Sequence, residues 1–186
     1  MSKKDLIFKS ALKLFTTRGF HDTPTSEIAK DAGVATGTLF HYFSTKEELI
    51  NELYLECKST LVVRVLEGVH EEWDLPKRME KMYKNSIMWG IEHNDRFSFL
   101  QQFSYSPNIS ELTREEGYNR IKSINSVFDE AREAGILRSD HREMLMELLY
   151  AFIISVVTYI INNKPDNEEQ TALIDTSYSI FIKSCS

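Results

Sequence analysis

Leu6, Ile7, Ser10, Ala11, Leu14 and Phe15 recur at three- and four-residue intervals with Lys9 and Lys13 on another face, which predicts an amphipathic helix from Asp5 to about Thr17. Gly19 follows as its C-terminal cap. Thr23 and Pro24 then read as an N-cap and the first helical position of a second helix, with Ile28 and Ala29 facing inward and Gly33 closing it after Ala32. Val34 restarts the apolar pattern, and Thr36, Gly37 and Thr38 open a third helix carrying Leu39, Phe40 and Phe43. Two short helices joined by a tight Gly-containing turn form a helix-turn-helix. Ser44 with Glu47, and Thr45 with Glu48, offer two overlapping capping boxes, so a fourth helix starts there and runs to about Gly68.

Beyond that point the pattern is helical throughout, with helices expected at about 75–92, 95–105, 110–134, 140–163 and 167–184. Asp74, Asp95, Ser110, Asp140 and Asp166 stand near the starts, Gly135 and Pro165 mark stops, and Pro107 breaks the run between two helices. The expected architecture is all-α: a three-helix, homeodomain-like helix-turn-helix domain over 1–46 and a helical domain over 47–186.

Composition agrees with a folded helical chain. Apolar residues make up 42% and charged ones 27%, and seven glycines with four prolines in 186 residues are too few for a turn-rich β architecture. The net charge of −6 argues against nonspecific binding to nucleic acid or a membrane surface. That average conceals an asymmetry. Residues 1–46 hold seven bases and four acids, a charge of +3, whereas residues 47–186 carry −9. A compact anion-binding module joined to a different domain has this signature. Cys57 and Cys185, the two cysteines, lack metal or redox spacing and read as free buried thiols. The opening residues lack a signal-peptide pattern, and the most apolar window, Leu148 to Ile161, spans roughly 21 Å at 1.5 Å per residue, short of a bilayer core of about 30 Å. A cytoplasmic protein is expected.

The stretch Thr23–Leu49 carries the specific signal. Ile28-Ala29, Ala32-Gly33-Val34, Gly37-Thr38-Leu39 and Tyr42-Phe43 at their fixed spacing closely resemble the DNA-binding signature of the TetR family of transcriptional regulators. Ala11–Phe15 and Arg18-Gly19-Phe20 resemble that family's first helix and its end; the close resemblance covers about the first 50 residues. The chemistry of the residues agrees. Duplex DNA presents a dense line of phosphates, so a reader needs cations and helix N-termini facing it. Thr25 and Ser26 sit in the first turn of the second helix, and Lys46 in the first turn of the fourth. Between them the third helix is short enough for a major groove, its small Ala35, Thr36, Gly37 and Thr38 permitting close approach to base edges. The resemblance implies phosphate contacts by His41 and Tyr42. Ile28, Ala29, Val34, Leu39 and Phe43 are expected in the core, while Phe40 is balanced between core and DNA. Many relatives have Lys or Arg where this chain has Thr36, and Tyr where it has Phe40, which implies a weaker electrostatic grip per subunit.

The helix around 140–163 is apolar on all sides and must be buried on every face. The resemblance implies a homodimer formed by the last two long helices of each subunit, presenting two recognition helices to a pseudo-palindromic operator. The middle helices are rich in aromatic and flexible side chains suited to an adaptable apolar cavity, and the resemblance implies that an inducer binds among them. Met82, Trp89, Phe99, Phe103 and Phe128 are the apolar candidates for contacting an apolar or aromatic molecule. Gln102 and Asn125, if buried, would orient it. His21, His41, His70, His93 and His141 are scattered without metal spacing, and no phosphate loop or nucleophile elbow occurs. No enzyme, metal or cofactor is therefore expected. The expected function is a ligand-responsive regulator, a repressor released from DNA by a small molecule. The alternative is an all-helical small-molecule binder or scaffold that has lost DNA binding.

Overall fold

The computed structural model describes residues 1–138 and 141–185, and among these every regular element is a helix. In chain order they are α1 (Lys3–Arg18), α2 (Thr25–Asp31), α3 (Thr36–Tyr42), α4 (Lys46–Leu66), α5 (Leu75–Glu92), α6 (Asn94–Phe103), α7 (Glu111–Arg120), α8 (Lys122–Glu133), α9 (Arg142–Asn163) and α10 (Asn167–Cys185). They pack as two compact units: Met1–Thr60 with Asn94–Arg120, and Leu61–His93 with Ile121–Ser186. The expected start at Asp140 lies outside the described residues.

In the first unit α1 packs against α2, α3 and α6. Its capping box is closed by Ser2 and Asp5, which exchange hydrogen bonds at both ends of the first turn. Ile7, Ala11, Phe15, Ile28, Leu39 and Phe43 are fully buried, and Phe15 meets Phe20 and Phe103 at ring separations of 5.6 and 6.3 Å. Val34, expected in the core, is only half-buried. Gly33 turns the chain at φ +68° between α2 and α3, a conformation a side chain rarely adopts.

The start of α2 differs from expectation. Thr23 does not cap it; its hydroxyl points back and donates to the carbonyls of Gly19 and Leu14, while Pro24 occupies the N-cap position. Thr23 is buried, so its polar group is satisfied by carbonyls near the end of α1. At α4 the two expected capping boxes merge into one: the Thr45 hydroxyl accepts from the Glu48 amide, and the Glu48 carboxylate accepts from the Ser44 amide.

The segment expected as one helix over 110–134 is two, α7 and α8, parted at Ile121 (φ −92°, ψ 7°). No glycine or proline marks this break; it falls where the chain passes from one unit to the other. Within the first unit α7 packs against α4 through Gly117, where an added Cβ would lie 2.6 Å from Tyr54 Cε1. Arg120 donates to the Leu55 carbonyl and Ser59 hydroxyl, and Asn51 joins the Asn108 carbonyl and the Ser110 amide.

In the second unit α5 packs against α8, α9 and α10. Met79, Met82, Tyr83, Ile87, Trp89 and Phe181 are buried, and Tyr83 hydrogen-bonds Ser177 at 3.0 Å. Asn85 donates to the Val65 and Glu67 carbonyls, satisfying the end of α4. Asp74 caps α5 and Asp166 the start of α10, as expected. Cys57 and Cys185 are free and buried, and burial pushes the Cys57 thiol up to about 12.

The expected 14-residue apolar run understates α9. This helix has 22 residues, with mean hydropathy 2.1 over 18 of them and 22% of that window buried; on length and composition it could cross a membrane. Leu145, Leu149, Val157 and Ile160 are buried, while Met144, Leu148 and Tyr159 are exposed. Beside them lies a groove of about 390 Å³ whose walls include Val156, Tyr159, Leu173, Thr176 and Ile180.

Candidate nucleic-acid interface

The α2–turn–α3 segment is held from below and open above. Ile28, Ala29, Leu39 and Phe43 are buried, and the Val34 and Gly33 amides donate to the Ala29 and Lys30 carbonyls, fixing the turn. The opposite faces carry the residues singled out from sequence. Ser26, Ala35, Thr36, Gly37, His41 and Tyr42 are exposed, and Thr25, Thr38 and Lys46 half-buried. The structure thus brings Ala35, Thr36, Gly37, Thr38, His41 and Tyr42 together on one short helix and its cap, with His41 edge-on to Tyr42 at 5.6 Å. Thr25 and Ser26 open α2, and Lys46 opens α4.

Gly37 adds a decisive detail. Nothing lies within 4 Å of where its Cβ would stand, so no contact inside the protein requires glycine there. Alanine is favoured over glycine in a helix by roughly 1 kcal/mol. The backbone at Gly37 is therefore open to the outside of this exposed helix.

Phe40, balanced between two environments from sequence, is exposed at 45% and adds an aromatic side chain to the same helix. Its position one residue after buried Leu39 was the available signal.

Several cations of this unit are already engaged. Lys4 reaches Glu52 and Lys13 reaches Asp31, each at 2.7 Å, and Arg18 pairs with Glu27. Lys46 Nζ stands 4.2 Å from the Phe20 ring centroid; burial holds its ammonium below the ordinary lysine value, opposed by Glu47 and Asp22. The open positive charge is therefore smaller than the residue count suggests.

The candidate ligand residues divide between the two units. Phe99, Gln102 and Phe103 belong to the first, where Phe99 and Phe103 are buried with rings 4.9 Å apart. Met82, Trp89, Asn125 and Phe128 belong to the second and are all buried. Gln102 is exposed, so the burial on which its orienting role depended does not hold, whereas for Asn125 it does. The stretch around Gln102 reads as helical, but which of its amides faces out follows from packing.

Residues 7–53 match the family described as bacterial regulatory proteins, tetR family. The chain is 26% identical over 160 residues to the HTH-type transcriptional repressor KstR2 of Mycobacterium tuberculosis, covering 82% of this chain and 76% of that one. A TetR-family transcription regulator from Shewanella sp. PV-4 superposes with a TM-score of 0.89 at 27% identity, covering 100% and 98% of the two chains. FadR from Bacillus subtilis, solved in complex with stearoyl-CoA, has the same fold, with a TM-score of 0.76 at 19% identity over 98% and 99%. With the helix-turn-helix geometry, the N-terminal family match and the end-to-end superposition in agreement, residues 7–53 form a DNA-binding domain of the bacterial tetR family of regulatory proteins, and the chain as a whole has the fold of TetR-family transcription regulators.

Proposed function

We propose that this protein is a ligand-responsive repressor, cytoplasmic and without enzymatic activity, that binds a pseudo-palindromic operator as a homodimer. Residues 1–46 grip DNA, and residues 47–186 hold the effector and the dimer contact. The observation that carries the reading is the exposed face of α3, small at Ala35, Thr36, Gly37 and Thr38, with open space above Gly37. Thr36 and Thr38 contact base edges; Thr25, Ser26, His41, Tyr42 and Lys46 contact phosphates, Lys46 by turning its ammonium away from Phe20.

The uncovered apolar surface of α9 and its groove beside α10 support the dimer. Met144, Leu148, Tyr159 and Ile180 are exposed in the single chain, and a second copy related by a two-fold axis would cover them and supply a second α3 to the assembly. The effector is an apolar or aromatic small molecule held within the second unit by residues drawn from Met82, Trp89, Asn125 and Phe128. It acts by binding better to an arrangement of the two heads that does not match the operator, since only a difference in affinity between states moves a population. That FadR of Bacillus subtilis was solved with stearoyl-CoA supports a long apolar effector.

A scaffold that has lost DNA binding is favoured by the in-domain pairing of Lys4, Lys13 and Arg18. Gel shift with the promoter region beside the protein's own gene, at 50 and 200 mM salt, separates the two. A regulator contacting about four phosphates loses affinity roughly a hundredfold across that range and resists random DNA as competitor. Absence of a shift, or equal competition by random DNA, favours the scaffold.

A further inference from the structure

Two arginines of the second unit each bury a guanidinium nitrogen that nothing in the chain satisfies. Arg78 stands in the first turn of α5 and Arg132 in the last turn of α8. In both, Nε is shut away from solvent with no acceptor among the described residues. A buried donor without an acceptor costs the fold that holds it and requires an explanation. Arg78 reaches Glu130 through a terminal nitrogen at 3.3 Å, long for a charge-assisted bond. Among the described residues no carboxylate pairs with Arg132. The acid one turn before it, Asp129, has both oxygens engaged by Arg142 at 2.6 and 3.0 Å.

The two guanidiniums belong to one place in the fold. α5 and α8 pack together, and the Arg78–Glu130 contact joins the start of α5 to the end of α8. Arg78 and Arg132 therefore stand at the same end of the helix pair. Residues four apart share a helix face. One turn inward from Arg78 on α5 lies Met82, and one turn inward from Arg132 on α8 lies Phe128; they are 1% and 3% exposed. Two cationic forks thus head a seam that is apolar one turn further in. A planar guanidinium matches the oxygens of a carboxylate or phosphate, and a methionine side chain adjusts to an apolar tail.

We propose that Arg132 and Arg78 receive an oxyanion head, a carboxylate or a phosphate ester, carried by an effector whose apolar tail runs along the α5–α8 seam past Met82 and Phe128. The inference deepens the ligand-responsive reading above and rests on it. Glu130 holds Arg78 in the free protein and competes with the head for it.

Thermal unfolding of the full chain without DNA, titrated with each probe below its micelle-forming concentration, tests this. The probes are octanoate, decanoate, octyl phosphate and decyl phosphate, each beside the alcohol of the same length. Wild type should be stabilised by at least one acid at a concentration about tenfold or more below that needed of its alcohol. Arg132→Met should lose this preference and keep the response to the alcohol. Glu130→Gln, which removes the competing carboxylate, should bind the acid about two- to fivefold more tightly. That gain is one that a purely structural arginine would not produce, and it decides the matter even if Arg132→Met does not fold. Equal stabilisation by acid and alcohol leaves an effector site in place and overturns the oxyanion head. No response to any acid, a preference retained by Arg132→Met, or unchanged or weaker acid binding by Glu130→Gln overturns it too. Failure of the operator gel shift is read separately, because no DNA is present here.

Discussion

Thr38 and Lys46 are both proposed to face DNA, where they would do different chemistry. Thr38 is half-buried in the first turn of α3, where its hydroxyl or methyl can meet a base edge; Lys46 starts α4 and can meet only the backbone of a duplex. Thr38→Ala should alter base preference across an operator library. Lys46→Ala should weaken all sequences alike and reduce the slope of log affinity against log salt by about one. Anisotropy titrations over three salt concentrations read both effects. Gly37 gives a sharper contrast, because its Cβ position is empty. Gly37→Ala should leave the melting temperature unchanged or slightly raised while lowering operator affinity about tenfold or more. At this scale the sequence was informative about identity and less so about engagement. The motif placed Thr36, Gly37, His41 and Tyr42 on the surface, where they lie. That Lys46 rests on Phe20, and that Thr23 turns back to Gly19 and Leu14, depends on neighbours distant along the chain, which local spacing does not encode.

Helices were legible where capping chemistry is local. Asp74 before Leu75 and Pro76 sets the start of α5, and Gly135 at φ +71° ends the run that contains α8. The break at Ile121 was illegible because no turn residue stands there; the chain simply changes packing partners. The same holds for the middle helices as a ligand site. Phe99 and Phe103 look like Met82 and Trp89 in sequence, yet the two pairs belong to different packing units. Close approach of α7 to α4 is likewise written in one residue, Gly117, and is recognisable only once Tyr54 is seen opposite it. Gly117→Ala inserts a methyl into that contact and should lower the melting temperature by about 3–10 °C, a cost of overpacking of about 1–3 kcal/mol. Differential scanning calorimetry on the full chain measures it, and a shift under 1 °C would mean that Tyr54 moves aside freely.

For the molecule as a whole, the helical class followed from periodicity and the scarcity of Gly and Pro, and the family from the first 50 residues. The all-round apolar pattern of α9 implied a partner, and the structure of one chain leaves Met144, Leu148 and Tyr159 uncovered on it. Replacing Leu148 and Ile180 together with Glu places like charges at a two-fold contact and should convert a dimer to a monomer in sedimentation, with operator binding lost in parallel. A monomer in the wild type at micromolar concentration would contradict the arrangement. The central claim remains that the exposed face of α3 is the surface that meets DNA. Hydrogen–deuterium exchange of the full chain, with and without a promoter duplex that it shifts, tests this directly. Protection is expected at residues 25–26 and 35–42 and at the start of α4. Unchanged exchange across 35–42 on a bound duplex, with protection elsewhere, would contradict the account.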